Sequence, residues 1–226
     1  MKLILSGGGA GKQTEELDKL FANLLDKKKS LLYVPIAIDN IKFNYDDCLI
    51  WLKSTFDALG VKKYGMLTED EFTNIEKINI KNYSGIYIGG GNTPYLLKTL
   101  KKSGFWEKIK ILIKKDIPIY GGSAGAIIFS KSIKPSLNFD KNWVELKEFS
   151  GMNLIKDNFL FCHFNNKKEK QIREIIFKEK LNSSIALTEK NGLFISGKEI
   201  KVIGKESAWM FNEKGEKREL KVGEKI

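Results

Sequence analysis

Apolar residues along this chain follow two alternating rhythms. Short continuous runs at residues 2–6, 30–36, 84–88 and 117–120 read as strands covered on both faces. Between them, apolar positions recur at helical spacing: Leu17, Leu20, Phe21, Leu24 and Leu25, then Leu49, Leu52, Phe56 and Leu59. Tyr95, Leu96, Leu97 and Leu100 repeat the pattern, as do residues 105–115. Strands alternating with amphipathic helices predict an α/β fold: a three-layer, open, mostly parallel sheet with helices on both faces. Residues 61–66 read as a short strand and residues 67–83 as a polar connection. Beyond residue 130 the rhythm changes. Residues 131–157 show no period, and a connection of that length within a compact unit is often functional. A strand at 158–164 and a helix at 168–180 follow. Short runs at 185–188, 193–195, 200–203 and 208–211, punctuated by Gly192, Gly197, Gly204 and Gly215, predict a terminal meander of antiparallel strands. No repeat or linker interrupts the pattern, so one domain over residues 1–226 is expected.

Composition narrows the class. The 226 residues are 42% hydrophobic and 30% charged, a balance that excludes a disordered or membrane-embedded chain. The formal charge of +11 invites nucleic acid as a partner, but only Arg173 and Arg218 of the 39 basic residues are arginine. Arginine is the side chain suited to bidentate phosphate and guanine contacts, and the lysines are spread among acidic residues. No nucleic-acid or membrane partner is expected. The run Met1–Ser6 is too short for a secretory h-region. Cys48 and Cys162 are the only cysteines and offer no disulfide framework, so a reducing cytoplasm is expected.

Chemistry concentrates where strands run into glycine. Gly7-Gly8-Gly9-Ala10-Gly11-Lys12 follows the first strand and resembles two phosphate-binding motifs. It satisfies neither: a P-loop needs a glycine at Ser6 and a hydroxyl residue at Gln13. A flexible loop, with Thr14 as the cap of the next helix, is the expectation. Gly89-Gly90-Gly91-Asn92-Thr93-Pro94 follows the strand at 84–88, where open α/β sheets bind ligands. Gly121-Gly122-Ser123-Ala124-Gly125 fits G-x-S-x-G, the nucleophile elbow. There a sharp strand-to-helix turn exposes a serine hydroxyl beside backbone N–H groups, and a helix N-terminus adds positive partial charge.

A serine nucleophile needs a base, and the chain has a single histidine, His163. Glu189, beyond the run at 185–188 and before an Asn191-Gly192 hairpin turn, is one acid able to orient its imidazole; Asp140 is the rival. The order Ser, His, Glu and the lack of an HGGG-type motif exclude a standard α/β-hydrolase. Cys162 reads as a small core residue, since neighbouring strand residues point to opposite faces. One histidine and two distant cysteines supply no zinc ligand set, and no cofactor is expected.

Gly89-Gly90-Gly91-Asn92-Thr93, Gly121-Gly122-Ser123-Ala124-Gly125-Ala126, His163-Phe164 and Leu187-Thr188-Glu189-Lys190-Asn191-Gly192 together resemble the peptidase E (aspartyl dipeptidase) and cyanophycinase group of serine peptidases. The match in order and spacing covers nearly the whole chain. The resemblance implies a fold similar to class I glutamine amidotransferases, with serine in place of their cysteine. It implies Ser123 as nucleophile, His163 as general base, Glu189 as its orienting acid, and the amides of Gly91 and Ala124 as oxyanion hole. It also implies a short peptide substrate with a free amino terminus. Asn92 and Lys168 are candidate substrate contacts. Aspartate-specific members carry an arginine in the loop after the histidine; here residues 163–170 carry only lysines as cations, so strict aspartyl specificity is not implied. A homodimer and a non-catalytic binding protein on the same scaffold stay open.

Overall fold

The computed structural model describes residues 1–38 and 44–226. The apolar runs become strands β1 (Lys2–Ser6), β2 (Ser30–Val34), β3 (Tyr64–Met66), β4 (Tyr83–Ile88) and β5 (Ile119–Gly122). Between them lie helices α1 (Glu15–Leu24), α2 (Tyr45–Phe56), α3 (Glu69–Phe72), α4 (Thr93–Lys102) and α5 (Phe105–Lys114), with the single turn α6 (Ala124–Ile127) after β5. The C-terminal part adds β6 (Phe159–Phe161), α7 (Glu169–Glu179), β7 (Ser183–Ala186), β8 (Asn191–Ser196), β9 (Glu199–Gly204), β10 (Ala208–Asn212) and β11 (Lys217–Leu220). The central sheet has the order β3-β2-β4-β5-β1-β8-β9. Its first five strands in that order are parallel, and β8 and β9 are antiparallel.

Strand period sorts the two faces. Leu3, Leu5, Ile86, Ile88 and Ile119 pack with Leu96, Leu97, Leu100, Phe105 and Ile109 of α4 and α5. Their neighbours along the strands, Ile4, Tyr87 and Tyr120, turn to the opposite face and meet Leu17, Phe21, Leu52 and Phe56 of α1 and α2. Helices on both faces of a mostly parallel sheet are what the alternation of runs predicts. The expected C-terminal meander is corrected: β8 and β9 extend the central sheet, while β7 and β10 pair in a second sheet of order β11-β10-β7-β6. Asn191-Gly192 is likewise not a hairpin turn but the first two residues of β8. Buried Asn191 accepts from Thr188 N at 2.9 Å and donates to Ser207 O at 2.7 Å, so an apparent turn residue serves as a brace. Among the described residues no helix is long and apolar enough to cross a membrane.

Thr14 is the N-cap residue of α1 as expected, but its side chain makes no cap hydrogen bond. Its hydroxyl donates to Asp18 Oδ2 at 2.7 Å, inside the layer between α1 and the sheet. Asp18 is only 4% exposed, and burial pushes its carboxyl from 3.8 up to about 6. A carboxyl raised on folding binds its proton more tightly in the native state. The native state is therefore favoured below pH 3.8 and loses that advantage as pH rises through about 6, a cost on the order of 3 kcal/mol at neutral pH. Asp18→Asn is thus expected to stabilise the protein at pH 8 by about 1–3 kcal/mol while changing little at pH 4. Urea unfolding at the two pH values measures this, and equal effects at both would reject it.

Candidate active site

Ser123 stands at the junction of β5 and α6 with φ 50° and ψ −111°. A non-glycine residue held there is strained, as at a nucleophile elbow. The strain is held by Ser123 N donating to Ser6 O at 3.1 Å and by Ser123 O accepting from Ala126 N and Ile127 N. Because α6 is a single turn, the expected helix-dipole contribution is small, and the individual N–H groups carry the electrostatics.

Ser123 Oγ lies 2.9 Å from His163 Nε2, and His163 Nδ1 lies 3.0 Å from Glu189 Oε1. An ionised carboxylate only accepts, so the ring proton belongs on Nδ1 and Nε2 faces the serine as an acceptor. Hydrogen bonds from His163 and from Gln13 Nε2, at 2.9 Å, hold Glu189 below the usual carboxylate range. The strand expected at 158–164 is shorter: β6 ends at Phe161, two residues before His163. His163 follows β6 of the second sheet in a left-handed conformation, φ 54°. Its N–H donates to Gly7 O at 2.9 Å, and Phe164 N donates to Leu187 O at 2.8 Å. His163 is thus suspended between the ends of β1 and β7.

The glycine loop after β1 therefore has a different place from the flexible connection expected. Gly8 adopts φ +105°, and a Cβ there would stand 2.3 Å from His163 Cε1. Only glycine gives the imidazole this platform. Gly91, at φ +135°, has the same kind of necessity: a Cβ would meet Ala37 O at 1.9 Å. Neither Gly91 N nor Ala124 N has a backbone acceptor among the described residues, and Gly91 lines the cavity that contains Ser123.

That cavity, about 250 Å³, opens beside Ser123 and is walled by Phe139, Leu160, Asp140 and Lys168. Asp140 does not pair with the imidazole: its Oδ2 accepts from Thr93 N at 3.0 Å and from Thr93 Oγ1 at 2.6 Å. Asn92 has both ends of its amide engaged, Oδ1 accepting from Tyr95 N and Nδ2 donating to Lys141 O, each at 2.9 Å. Geometry thus ties Asn92 to the loop and leaves Lys168 nearer the cavity, its ammonium 5.8 Å from the Phe139 ring centre. Arg173 is turned elsewhere, to Glu169, Gly215 O and the Phe211 ring. Cys162 Sγ lies 3.7 Å from Ser123 O, and burial pushes its thiol up to about 12, so it stays protonated and unreactive. The residues that sequence reasoning missed are Gln13, Gly8 and Asn191. Gln13 gave no signal, since its carboxylate partner is 176 positions away; the phosphate-like glycines drew notice for another chemistry.

Chains of known type share this architecture. A structure of a peptidase from an acI-B1 actinobacterium superposes with a TM-score of 0.70 at 23% identity, covering 100% of this chain and 96% of its own. Peptidase E of Salmonella newport is 26% identical over 216 residues, 92% of this chain and 90% of its own. An uncharacterized peptidase of Listeria monocytogenes is 28% identical over 180 residues, 76% and 84% of the two chains. The family model for peptidase family S51 matches residues 3–203, a span that contains the elbow, the histidine and the glutamate. The chain belongs to peptidase family S51 and is a serine-type peptidase.

Proposed function

We propose that this protein hydrolyses short peptides, dipeptides among them, from a free amino end through an acyl-enzyme formed on Ser123. The observation that carries the reading is the unbroken relay from Ser123 Oγ to His163 at 2.9 Å and from His163 to Glu189 at 3.0 Å. In the first step His163 Nε2 takes the hydroxyl proton as Oγ bonds to the peptide carbonyl carbon. The carbonyl oxygen gains the electron pair and is met by the amides of Gly91 and Ala124. Collapse breaks the C–N bond, and the imidazolium gives its proton to the departing amine. Water then repeats the sequence on the ester, releasing the acid and restoring Ser123. Glu189 holds the tautomer and balances the imidazolium charge.

Asp140 serves substrate rather than histidine in this reading. Thr93 engages its Oδ2 twice, which leaves Oδ1 for the α-ammonium of a peptide seated in the cavity. Lys168 adds positive charge to the same wall, and its field reaches both Glu189 and Cys162. A fluorophosphonate probe is expected to label Ser123 stoichiometrically, and a dipeptide library varying the first residue to give turnover that N-acetylation abolishes. An unreactive, folded protein would end the proposal. The two acids separate by kinetics. Glu189→Gln is expected to lower kcat by about a hundredfold or more, whereas Asp140→Asn raises KM about tenfold and changes kcat less. A larger kcat loss from Asp140→Asn would transfer the orienting role to Asp140.

A further inference from the structure

Gly8 is not the only residue of the loop after β1 that reaches the site. Gln13 Nε2 donates to Glu189 Oε2 at 2.9 Å, while Glu189 Oε1 lies 3.0 Å from His163 Nδ1. Both oxygens of the carboxylate are therefore engaged, one by the amide and one by the imidazole. The amide is itself aimed by backbone. Ala10 N donates to Gln13 Oε1 at 3.2 Å, and Gln13 N donates to Ala10 O at 3.1 Å. With its oxygen taken by a backbone N–H, the side chain has only its NH2 end to offer Glu189. The bonds converge on the carboxylate in a fixed sense, from Ala10 through Gln13 on one side and from the imidazole on the other.

The loop is seated where this reach is possible. Gly9 lies against Glu189: a Cβ there would stand 1.9 Å from Glu189 O and 3.0 Å from Gln13 Cβ. Lys205 Nζ holds the adjoining carbonyl, Lys12 O, at 2.7 Å. The Glu189 side chain is 45% exposed, so packing alone does not hold it and water competes for both oxygens. A carboxylate gripped at one oxygen can swing about its terminal bonds, whereas one gripped at both cannot. We propose that Gln13 is a positioning residue for the hydrolysis, fixing Glu189 so that the imidazole keeps Nε2 on Ser123 Oγ. The inference rests on the assignment of Ser123, His163 and Glu189 made above.

Gln13 also braces its own loop through Ala10, and a brace alone forecasts the opposite order for two substitutions. Gln13→Glu keeps the length and the acceptor for Ala10 N–H, but sets an oxygen against Glu189 where the donor stood. Gln13→Met keeps the length and loses both bonds. For a positioning residue, two facing carboxylates do more harm than a missing bond. At pH 8 Gln13→Glu is therefore expected to lower kcat about tenfold or more and Gln13→Met about threefold, each with KM within about twofold. For a loop brace, Gln13→Glu is silent and Gln13→Met is the worse. An independent readout exists because the protein has one histidine: the imidazole Cε1–H NMR signal of His163 is expected to move further in Gln13→Glu than in Gln13→Met. Gln13→Lys, which donates to Glu189 and accepts nothing, is expected to keep kcat above that of Gln13→Met, and stands in if Gln13→Glu fails to fold. A lower kcat for Gln13→Met than for Gln13→Glu, or no rescue by Gln13→Lys, would overturn the proposal. A wild-type protein that cleaves no peptide, with histidine signals still in the expected order, would leave the grip on Glu189 intact and overturn the peptidase assignment instead. Histidine signals that do not respond at all would overturn the grip.

Discussion

Ser123→Ala is expected to abolish peptide turnover to within a residue of activity, lowering kcat by about three orders of magnitude or more. In the proposed acyl-enzyme Oγ is the atom that bonds to the carbonyl, and the neighbouring Cys162 thiol does not replace it, since burial pushes it up to about 12 and keeps it protonated. His163→Ala is expected to cost about as much, because among the described residues the imidazole Nε2 is the group hydrogen-bonded to the hydroxyl. The double variant should be scarcely worse than either single one, since the two groups act as a unit and their losses do not add. The measurement is kcat on a cleaved dipeptide, with circular dichroism confirming a folded chain. Turnover by Ser123→Ala at a tenth of the wild-type rate would refute the acyl-enzyme.

Gly8→Ala carries the second large effect, although Gly8 touches no reacting atom. Its Cβ would stand 2.3 Å from Cε1 and 2.5 Å from Nε2 of His163, distances that real contacts do not reach, so the ring must move by about an ångström. A displacement of that size costs about a hundredfold in a positioned reaction. The left-handed φ of +105° adds about 1–3 kcal/mol of backbone strain for an L-residue. Gly11→Ala separates the two causes. Gly11 has φ +56° with nothing within 4 Å of a new Cβ, so its substitution should lower stability by about 1 kcal/mol and leave kcat unchanged. If both variants lose activity in proportion to stability, the platform under the imidazole has no catalytic consequence.

What could be read in advance was what is local. The elbow is legible because strand, serine and turn lie within a few residues, and the sheet because apolar runs carry their period in the chain. Glu189 was legible only as one of two candidates, and the two carboxylates are engaged differently, Glu189 on the imidazole and Asp140 on Thr93. The misreadings share one cause. Asn191-Gly192 looked like a turn because turn chemistry and a buried brace use the same amide, and the difference lies in Ser207, sixteen positions away. Gly7 to Gly9 read as a flexible loop because they met neither phosphate motif, yet close approach to any group demands glycine. Which group approaches is decided by the return of the chain after β6. The division of the C-terminal strands between two sheets is equally non-local, since each short run is alike in composition.

The suspension of His163 between the ends of β1 and β7 has a consequence for the order of events during synthesis. His163 is fixed by Gly7, from the first loop of the chain, and by Leu187 through its neighbour Phe164; its carboxylate partner follows at Glu189. Contacts of such long sequence separation form late, because the loop they close must first be ordered. A nascent chain can thus complete its elbow while still lacking a positioned base. On the proposed mechanism, hydrolytic competence then arrives as one event, when the last third of the polypeptide docks against the first strand.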